Sequence, residues 1–360
     1  MNENVTVLIP AHNEAKTIRQ TIKSVFNQST KPNKVIVICD NCTDSTEYIA
    51  EMMRIKFKRL EVFVTKGNTH KKAGALNQVL KNFDVLDEFI LVMDADTILD
   101  QDVLKEGMRY FSKNQKLGAV CSKAGVMECD KNSFLYKKFI WNLQKLEYSM
   151  FDTHRIETFN RIKVCHGMCT LYKKEGLIFT EQYHKEKFGL SQVYLESNLV
   201  EDYELTLCIK HKYEVTSNLN MLAWTDVPLS LKELWIQRNR WFRGGVDCML
   251  MHGYNNVTKP EILGHLLFFV IVSLQITLII MSIFYINKYG FHMGLDWIFI
   301  SLIILGYCDT LYRLKYVWNL KVTDVIIRIL LLPEFVYRWS QIVSMLYSYY
   351  LSFFRIKQSW

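Results

Sequence analysis

The chain has 360 residues, 50% of them hydrophobic, with 44 basic and 36 acidic side chains and a net charge of +8. That length accommodates more than one domain with a sizeable core. The positive charge is mild and dispersed, which argues against nucleic acid and suits anionic lipid and an anionic substrate. Nine scattered cysteines, an odd number, suit a reducing compartment rather than a disulfide framework.

The polar opening Met1-Asn2-Glu3-Asn4 is not read as a signal peptide, so the globular part is expected in the cytoplasm. An apolar run over residues 5–9 predicts a first strand ending at Pro10. Ile18, Ile22, Val25 and Phe26 then share one helical face. Lys34–Cys39 predicts a second strand, 44–54 a helix, 60–65 a third strand, 72–80 a helix and 89–93 a fourth strand. This alternation implies an α/β domain with a mostly parallel sheet. Ligands bind such sheets at the carboxyl ends of the strands, where Pro10, Asp40, Lys66 and Asp94 fall. No dinucleotide-binding or P-loop glycine motif is present.

The fourth strand runs directly into Asp94-Ala95-Asp96. If strand geometry persists, both carboxylates point the same way. A hard divalent cation would reconcile them by taking oxygen ligands and bridging to phosphate; turn formation is the bland alternative. Cys39 and Cys42, with Cys165 and Cys169, offer a zinc quartet, against which stands a packed strand-end thiol at Cys39. Residues 134–158 read as a long aromatic-rich amphipathic helix packed on the sheet or facing a membrane.

From Ile262 to Ile286 no side chain is charged, a run long enough to span a bilayer. A shorter apolar run covers Leu295–Tyr307, and a third lies within Val325–Phe354. Arg328, Pro333, Glu334 and Arg338 interrupt that third run, so a re-entrant piece followed by a span from about Trp339 is expected. The total is about three spans. Arg313, Lys315 and Lys321 sit between the second and third, against Lys288 between the first and second. The positive-inside rule then agrees with a cytoplasmic catalytic part.

Six segments occur in order: LIPAHNE (8–14), CDNCTDST (39–46), KKAGALN (71–77), MDADT (93–97), VEDYELT (200–206) and QRNRWFRGG (237–245). Together they resemble the membrane-integrated family 2 glycosyltransferases, which include cellulose, hyaluronan, chitin and poly-N-acetylglucosamine synthases. The resemblance covers about residues 5–250 and implies a GT-A domain followed by membrane helices. Residues 1–227 would be the cytoplasmic catalytic domain, 228–258 an interfacial amphipathic region and 259–360 the transmembrane region of a plasma-membrane protein.

The resemblance also implies roles. Pro10, Ala11, Asn13 and Glu14 would meet the nucleotide, and Asp40 the uracil or ribose, with Asn41 and Asp44 shaping the turn. Lys72 would lie near the diphosphate, and Asp94 near uridine and diphosphate. Asp96 would bind Mg²⁺ or Mn²⁺. Asn77 reads as helix surface. Asp202, beside Glu201, would be the general base toward the acceptor hydroxyl; helix capping is the bland alternative. Val200 stands where relatives commonly carry Thr, which touches the acceptor's surroundings rather than the base. Gln237, Arg240 and Trp241 share a helical face that would meet acceptor and diphosphate, although a membrane-surface helix has the same composition. His166-Gly167-Met168-Cys169 corresponds to an acceptor-side loop.

The implied reaction is inverting transfer of a hexose or N-acetylhexosamine from a UDP-sugar to a saccharide or lipid-linked acceptor. Processive synthesis of a β-linked polysaccharide is expected, with a homo-oligomer or an accessory partner completing export. Against it stand single transfer to a lipid acceptor and, from another class, a nucleotide-sugar-binding membrane protein without turnover.

Overall fold

Short apolar runs separated by amphipathic ones build one eight-stranded sheet. The computed structural model describes residues 4–150, 162–290, 304–305, 307–308, 310–330 and 332–356. Its strands are β1 (Val5–Ala11), β2 (Lys34–Cys39), β3 (Leu60–Val64), β4 (Phe89–Met93), β5 (Ile98–Leu99), β6 (Leu117–Val126), β7 (Cys169–Lys173) and β8 (Glu214–Thr225). They lie in the order β3-β2-β1-β4-β7-β6-β8-β5.

The expectation of a mostly parallel sheet holds for one half. β3, β2, β1 and β4 are mutually parallel. β7 then enters antiparallel between β4 and β6, and β5 runs antiparallel to β8. The sheet is therefore mixed. The inserted β7 directly follows the segment 166–168, and its register Met93↔Cys169 brings that segment beside the end of β4.

The helices expected around 18–26, 44–54 and 72–80 are present, and others join them. They are α1 (Ile18–Phe26), α2 (Thr46–Lys56), α3 (Lys71–Leu80), α4 (Val103–Lys113), α5 (Leu135–Met150), α6 (Lys174–Phe188) and α7 (Glu201–Ile209). α1 buries Ile18, Ile22 and Val25, the stripe read from the sequence. A core of Leu8, Ile36, Ile38, Leu76, Val92 and Tyr172, among others, packs between sheet and helices. The predicted 134–158 helix is present as α5; its remainder after Met150 lies outside the described residues.

The chain divides into two compact units, Met1–Leu234 and Trp235–Trp360. The helices after β8 are α8 (Leu231–His252), α9 (Lys259–Tyr289), α10 (Val322–Ile329) and α11 (Leu332–Phe353). α9 contains the uncharged run and, among the described residues, is the one helix long and apolar enough to cross a membrane. The second predicted span, Leu295–Tyr307, falls largely outside the described residues. In the third run the break falls before Leu332 rather than near Trp339. α11 already starts at Leu332 and runs through Trp339 without a break. Pro333 sits in its first turn, where a missing N–H costs nothing.

Candidate active site

Positive φ at Asn13, Asn41 and Lys71 marks three tight turns at the carboxyl rim. Asn and Lys in the left-handed region need local support, and two of the turns have it. Asn13 Oδ1 accepts from the Thr43 and Asp44 amides at 2.7 and 3.2 Å. Asn41 Nδ2 donates to Asn68 O at 2.9 Å. Asp44 Oδ1 accepts from the Thr46 amide at 2.9 Å, and Asp44 Oδ2 accepts from the Ala15 amide at 3.1 Å. Asn41 and Asp44 thus shape the turn as expected from their short polar side chains.

Pro10 and Ala11 end β1, and Ala11 O accepts from the Asp40 amide at 2.9 Å. Asp40 is buried, and its Oδ1 accepts from Thr65 Oγ1 at 2.7 Å, Asn68 Nδ2 at 2.8 Å and Asn41 Nδ2 at 3.0 Å. Three donors on one oxygen make Asp40 the tie between the ends of β2 and β3. Asn68 and Thr65 are rim residues that sequence reasoning missed, because neither belongs to a recognisable motif.

The carboxylates after β4 are not placed by strand alternation. β4 stops at Met93, and Asp94–Thr97 forms a turn closed by the Thr97 amide on Asp94 O at 3.2 Å. The Asp94 amide donates to Met168 O at 3.2 Å. Burial pushes the Asp96 carboxyl up to about 7, and the nearby Asp94, Glu14 and Asp226 push in the same direction against Lys72. Glu14 is raised chiefly by burial, then by Asp94, Asp44 and Asp226, while Thr17 lowers it. Four carboxyl groups therefore crowd the rim, Asp226 being one that no motif signalled.

Lys72 is the cation that meets Asp94 and the acids of α7. Its ammonium donates a short hydrogen bond to Asp94, lies 3.7 Å from Glu201 Oε1 and donates to Gly167 O at 3.4 Å. Burial alone would lower its pKa, yet Asp94, Glu201 and Asp202 outweigh that and hold it firmly protonated. Asp202 Oδ2 accepts from the Gly167 amide at 2.9 Å, and its Oδ1 from the Tyr203 amide at 2.8 Å. Glu201 and Asp202 occupy the first turn of α7; the cap position belongs to Val200, which corrects the capping alternative. A side chain at Gly167 would displace the Lys72 ammonium. A Cβ there would lie 2.4 Å from Lys72 Nζ and 3.7 Å from Asp202 Oδ2. His166 Nε2 is 2.9 Å from Ser122 O, which anchors the same loop on β6.

Asn77 is not helix surface. It is buried, donating to Tyr194 O at 2.8 Å and Glu196 Oε1 at 3.1 Å and accepting from the Tyr194 amide at 3.0 Å. The cysteine quartet does not gather among the described residues. Burial, then Cys42, raises the Cys39 thiol to about 12, and burial raises Cys169 to about 12. Both are buried strand-end thiols.

Gln237, Arg240 and Trp241 lie on α8 in the second unit, at the helical spacing expected. Arg240 is exposed, and the buried arginine is Arg238. Its guanidinium stacks 4.3 Å over the Trp241 ring and donates to Gln237 Oε1 at 2.6 Å. Within that unit Asn239 Oδ1 accepts from Ser344 and Ser348 of α11 at 3.0 and 3.2 Å.

Comparison with known proteins agrees with this arrangement. The family model for Glycosyl transferase family 2 matches residues 6–179. Poly-beta-1,6-N-acetyl-D-glucosamine synthase of Staphylococcus epidermidis is 28% identical over 272 residues, covering 74% of this chain and 60% of that protein. The same enzyme of Staphylococcus aureus (strain COL) is 28% identical over 277 residues, covering 76% and 62%. The chain thus spans about three-fifths of the length of these relatives. Among solved structures, the mannosyltransferase PcManGT from Pyrobaculum calidifontis, in complex with GDP-Man and Mn²⁺, superposes with a TM-score of 0.60 at 15% identity. It covers 98% of this chain and 88% of its own, and that likeness is one of fold. Residues 6–179 thus match the model for Glycosyl transferase family 2 and carry the first four of the six ordered motifs, while the last two lie beyond them.

Proposed function

We propose that the chain is an inverting glycosyltransferase that elongates a β-linked polysaccharide from a UDP-sugar, with UDP-N-acetylglucosamine as donor. The observation that carries this reading is the convergence on Lys72 of Asp94, Glu201 and the Gly167 carbonyl, with Asp202 on the amide of that same glycine. It joins the nucleotide-side rim to the acceptor-side loop at one cation. The choice of sugar rests on the relatives, which are poly-beta-1,6-N-acetyl-D-glucosamine synthases.

Asp202 is the general base. Each of its oxygens takes one backbone N–H, which fixes the carboxylate and leaves further lone pairs. The acceptor hydroxyl loses its proton to Asp202 as its oxygen bonds to the anomeric carbon. The bond from that carbon to the diphosphate breaks, and UDP leaves. A single displacement inverts the α-linked donor. Lys72 supplies positive charge beside the leaving diphosphate. Pro10, Ala11, Asn13, Glu14 and Asp40 form the nucleotide side of the rim, and Gln237, Arg240 and Trp241 serve acceptor and diphosphate.

Asp96 and Asp94 would hold Mg²⁺ or Mn²⁺, which would offset charge on the diphosphate. The residues fit such an ion: burial and three carboxyl neighbours raise Asp96, an excess of negative charge that a divalent cation relieves. Among the described residues the rim does not bring three carboxylates within ligand distance, so phosphate oxygens would complete the shell. α9 would anchor the chain in a plasma membrane, with the catalytic part cytoplasmic and about three spans in all.

The test incubates the full chain, in nanodiscs, with UDP-N-acetylglucosamine and other UDP-sugars and Mg²⁺ or Mn²⁺, recording UDP release and product size. A polymer is expected. A product extended by one sugar despite abundant donor would replace processive synthesis by single transfer. No turnover with any donor would leave a binding protein.

A further inference from the structure

We propose that His184, Glu204 and Cys208 form a zinc site, separate from the sugar-transfer rim. α6 carries His184, and α7 carries Glu204 and Cys208 four residues apart on one face. His184, Glu204 and Cys208 are all fully buried, at 0% exposure. His184 Nε2 lies 3.0 Å from Glu204 Oε1 and 3.1 Å from Cys208 Sγ. Cys208 Sγ is 3.0 Å from Glu204 Oε1. Among the described residues this is the one group of three His, Cys, Asp or Glu side chains whose ligand atoms converge within 4.8 Å.

The orientation of the imidazole is the second observation. His184 Nδ1 lies 2.7 Å from the Gln192 carbonyl oxygen. A carbonyl only accepts, so Nδ1 carries the proton, and in the neutral ring the Nε2 lone pair faces Glu204 and Cys208. Donation from one ring nitrogen to a carbonyl, with the other nitrogen on the metal, is how proteins orient zinc-bound histidine.

The donor set selects the ion. One nitrogen, one carboxylate and one sulfur suit zinc, whereas calcium and magnesium prefer oxygen alone. Charge decides in the same direction. A thiolate and a carboxylate sum to −2 and a zinc ion restores neutrality, which a fully dry site requires. Binding breaks the Cys208 S–H bond, and its proton leaves to solvent. Tetrahedral zinc, with bonds of about 2.0–2.3 Å, separates its ligands by about 3.3–3.8 Å. The observed 3.0–3.1 Å therefore opens by a few tenths of an ångström to admit it. Three protein ligands leave one tetrahedral position for a water, and the ion would pin α6 to the helix whose first turn carries Glu201 and Asp202.

The full chain is purified in detergent from zinc-supplied medium without chelator, and its metal content is measured by mass spectrometry. About one zinc per chain is expected. Cys208→Ala and His184→Gln should each lower that content about tenfold or more, while Asp96→Asn keeps it. Cobalt added to metal-free wild type should give a thiolate-to-cobalt charge-transfer band that Cys208→Ser, which keeps the side chain's size, abolishes. Wild type without zinc and without the cobalt band would overturn the proposal and leave a hydrogen-bonded trio. So would Cys208→Ala or Cys208→Ser protein that retains wild-type zinc. If the alanine variant does not fold, the serine variant and the cobalt spectrum decide. The readout is metal bound rather than sugar transferred, so this site and the transferase reading fail independently.

Discussion

At the scale of single residues, Lys72 organises the site by opposing four carboxylates with one ammonium. Asp202→Asn keeps the shape and the accepting carbonyl but removes the proton acceptor. Turnover should fall about 10²–10⁴-fold while UDP-sugar affinity, measured by calorimetry, stays within a few-fold. Near-normal turnover in Asp202→Asn with a dead Glu201→Gln would make Glu201 the base. Gly167→Ala drives a methyl to within 2.4 Å of Lys72 Nζ. The flexible ammonium must move, so transfer should fall steeply with little loss of stability. Asp96 gives a pH signature. Its carboxyl, ordinarily near 3.8, titrates near 7 in the folded chain. The folded state therefore binds more protons between those values, and this group's contribution to stability is lost as pH rises through about 7. Metal-free wild type should lose melting temperature relative to Asp96→Asn between pH 5 and 8, scanned at about one-unit intervals. Mn²⁺ should restore it at the alkaline end. A difference that is flat with pH, or indifferent to Mn²⁺, would remove Asp96 from the metal site.

At the scale of elements, buried polar clamps fix helices that hydrophobic contact alone would leave free to slide. Asn77 binds α3 to the Tyr194–Glu196 segment through three hydrogen bonds. Asn77→Ala strands the partner groups, and the expected loss is about 1–3 kcal/mol, read by denaturant unfolding of the full chain. A loss below about 0.5 kcal/mol would mean that water replaces the clamp. On α8 the aromatic plane of Trp241 is backed by the Arg238 guanidinium. Trp241→Ala should impair acceptor use far more than donor binding. If Trp241→Phe and Trp241→Leu instead behave alike and mainly lower membrane yield, the residue is an anchor.

For the molecule as a whole, the two units divide the work between the sheet domain and an apolar helical part. α9 carries no charged side chain from Ile262 to Ile286, and most of its large apolar side chains are exposed. The full chain should stay with membranes through alkaline carbonate washing. Release into the supernatant would mean that α9 packs against protein rather than lipid. Product size in nanodiscs then separates polymer synthesis from single transfer.

The sequence by itself determined what depends on short-range pattern. Strand and helix periodicity located β1, β2, β4 and α1 closely, because each buries a continuous local stripe. The ordered motifs pointed to Asp94, Asp96, Glu201 and Asp202, and each sits at or just beyond an element end. Only the tertiary structure decided which of these meet. Lys72 reaches Asp94 and Glu201 because β7 inserts antiparallel beside β4 and carries Gly167 with it. Nothing local encodes that insertion. The partners of Asn77 lie more than a hundred residues away. The turn at Asp94–Thr97, left open in the sequence between continued strand and turn, was likewise settled by its bonds to the chain around it. Ion pairs and buried clamps depend on distance in space, and hydrophobic periodicity fixes that distance only after the sheet order is set.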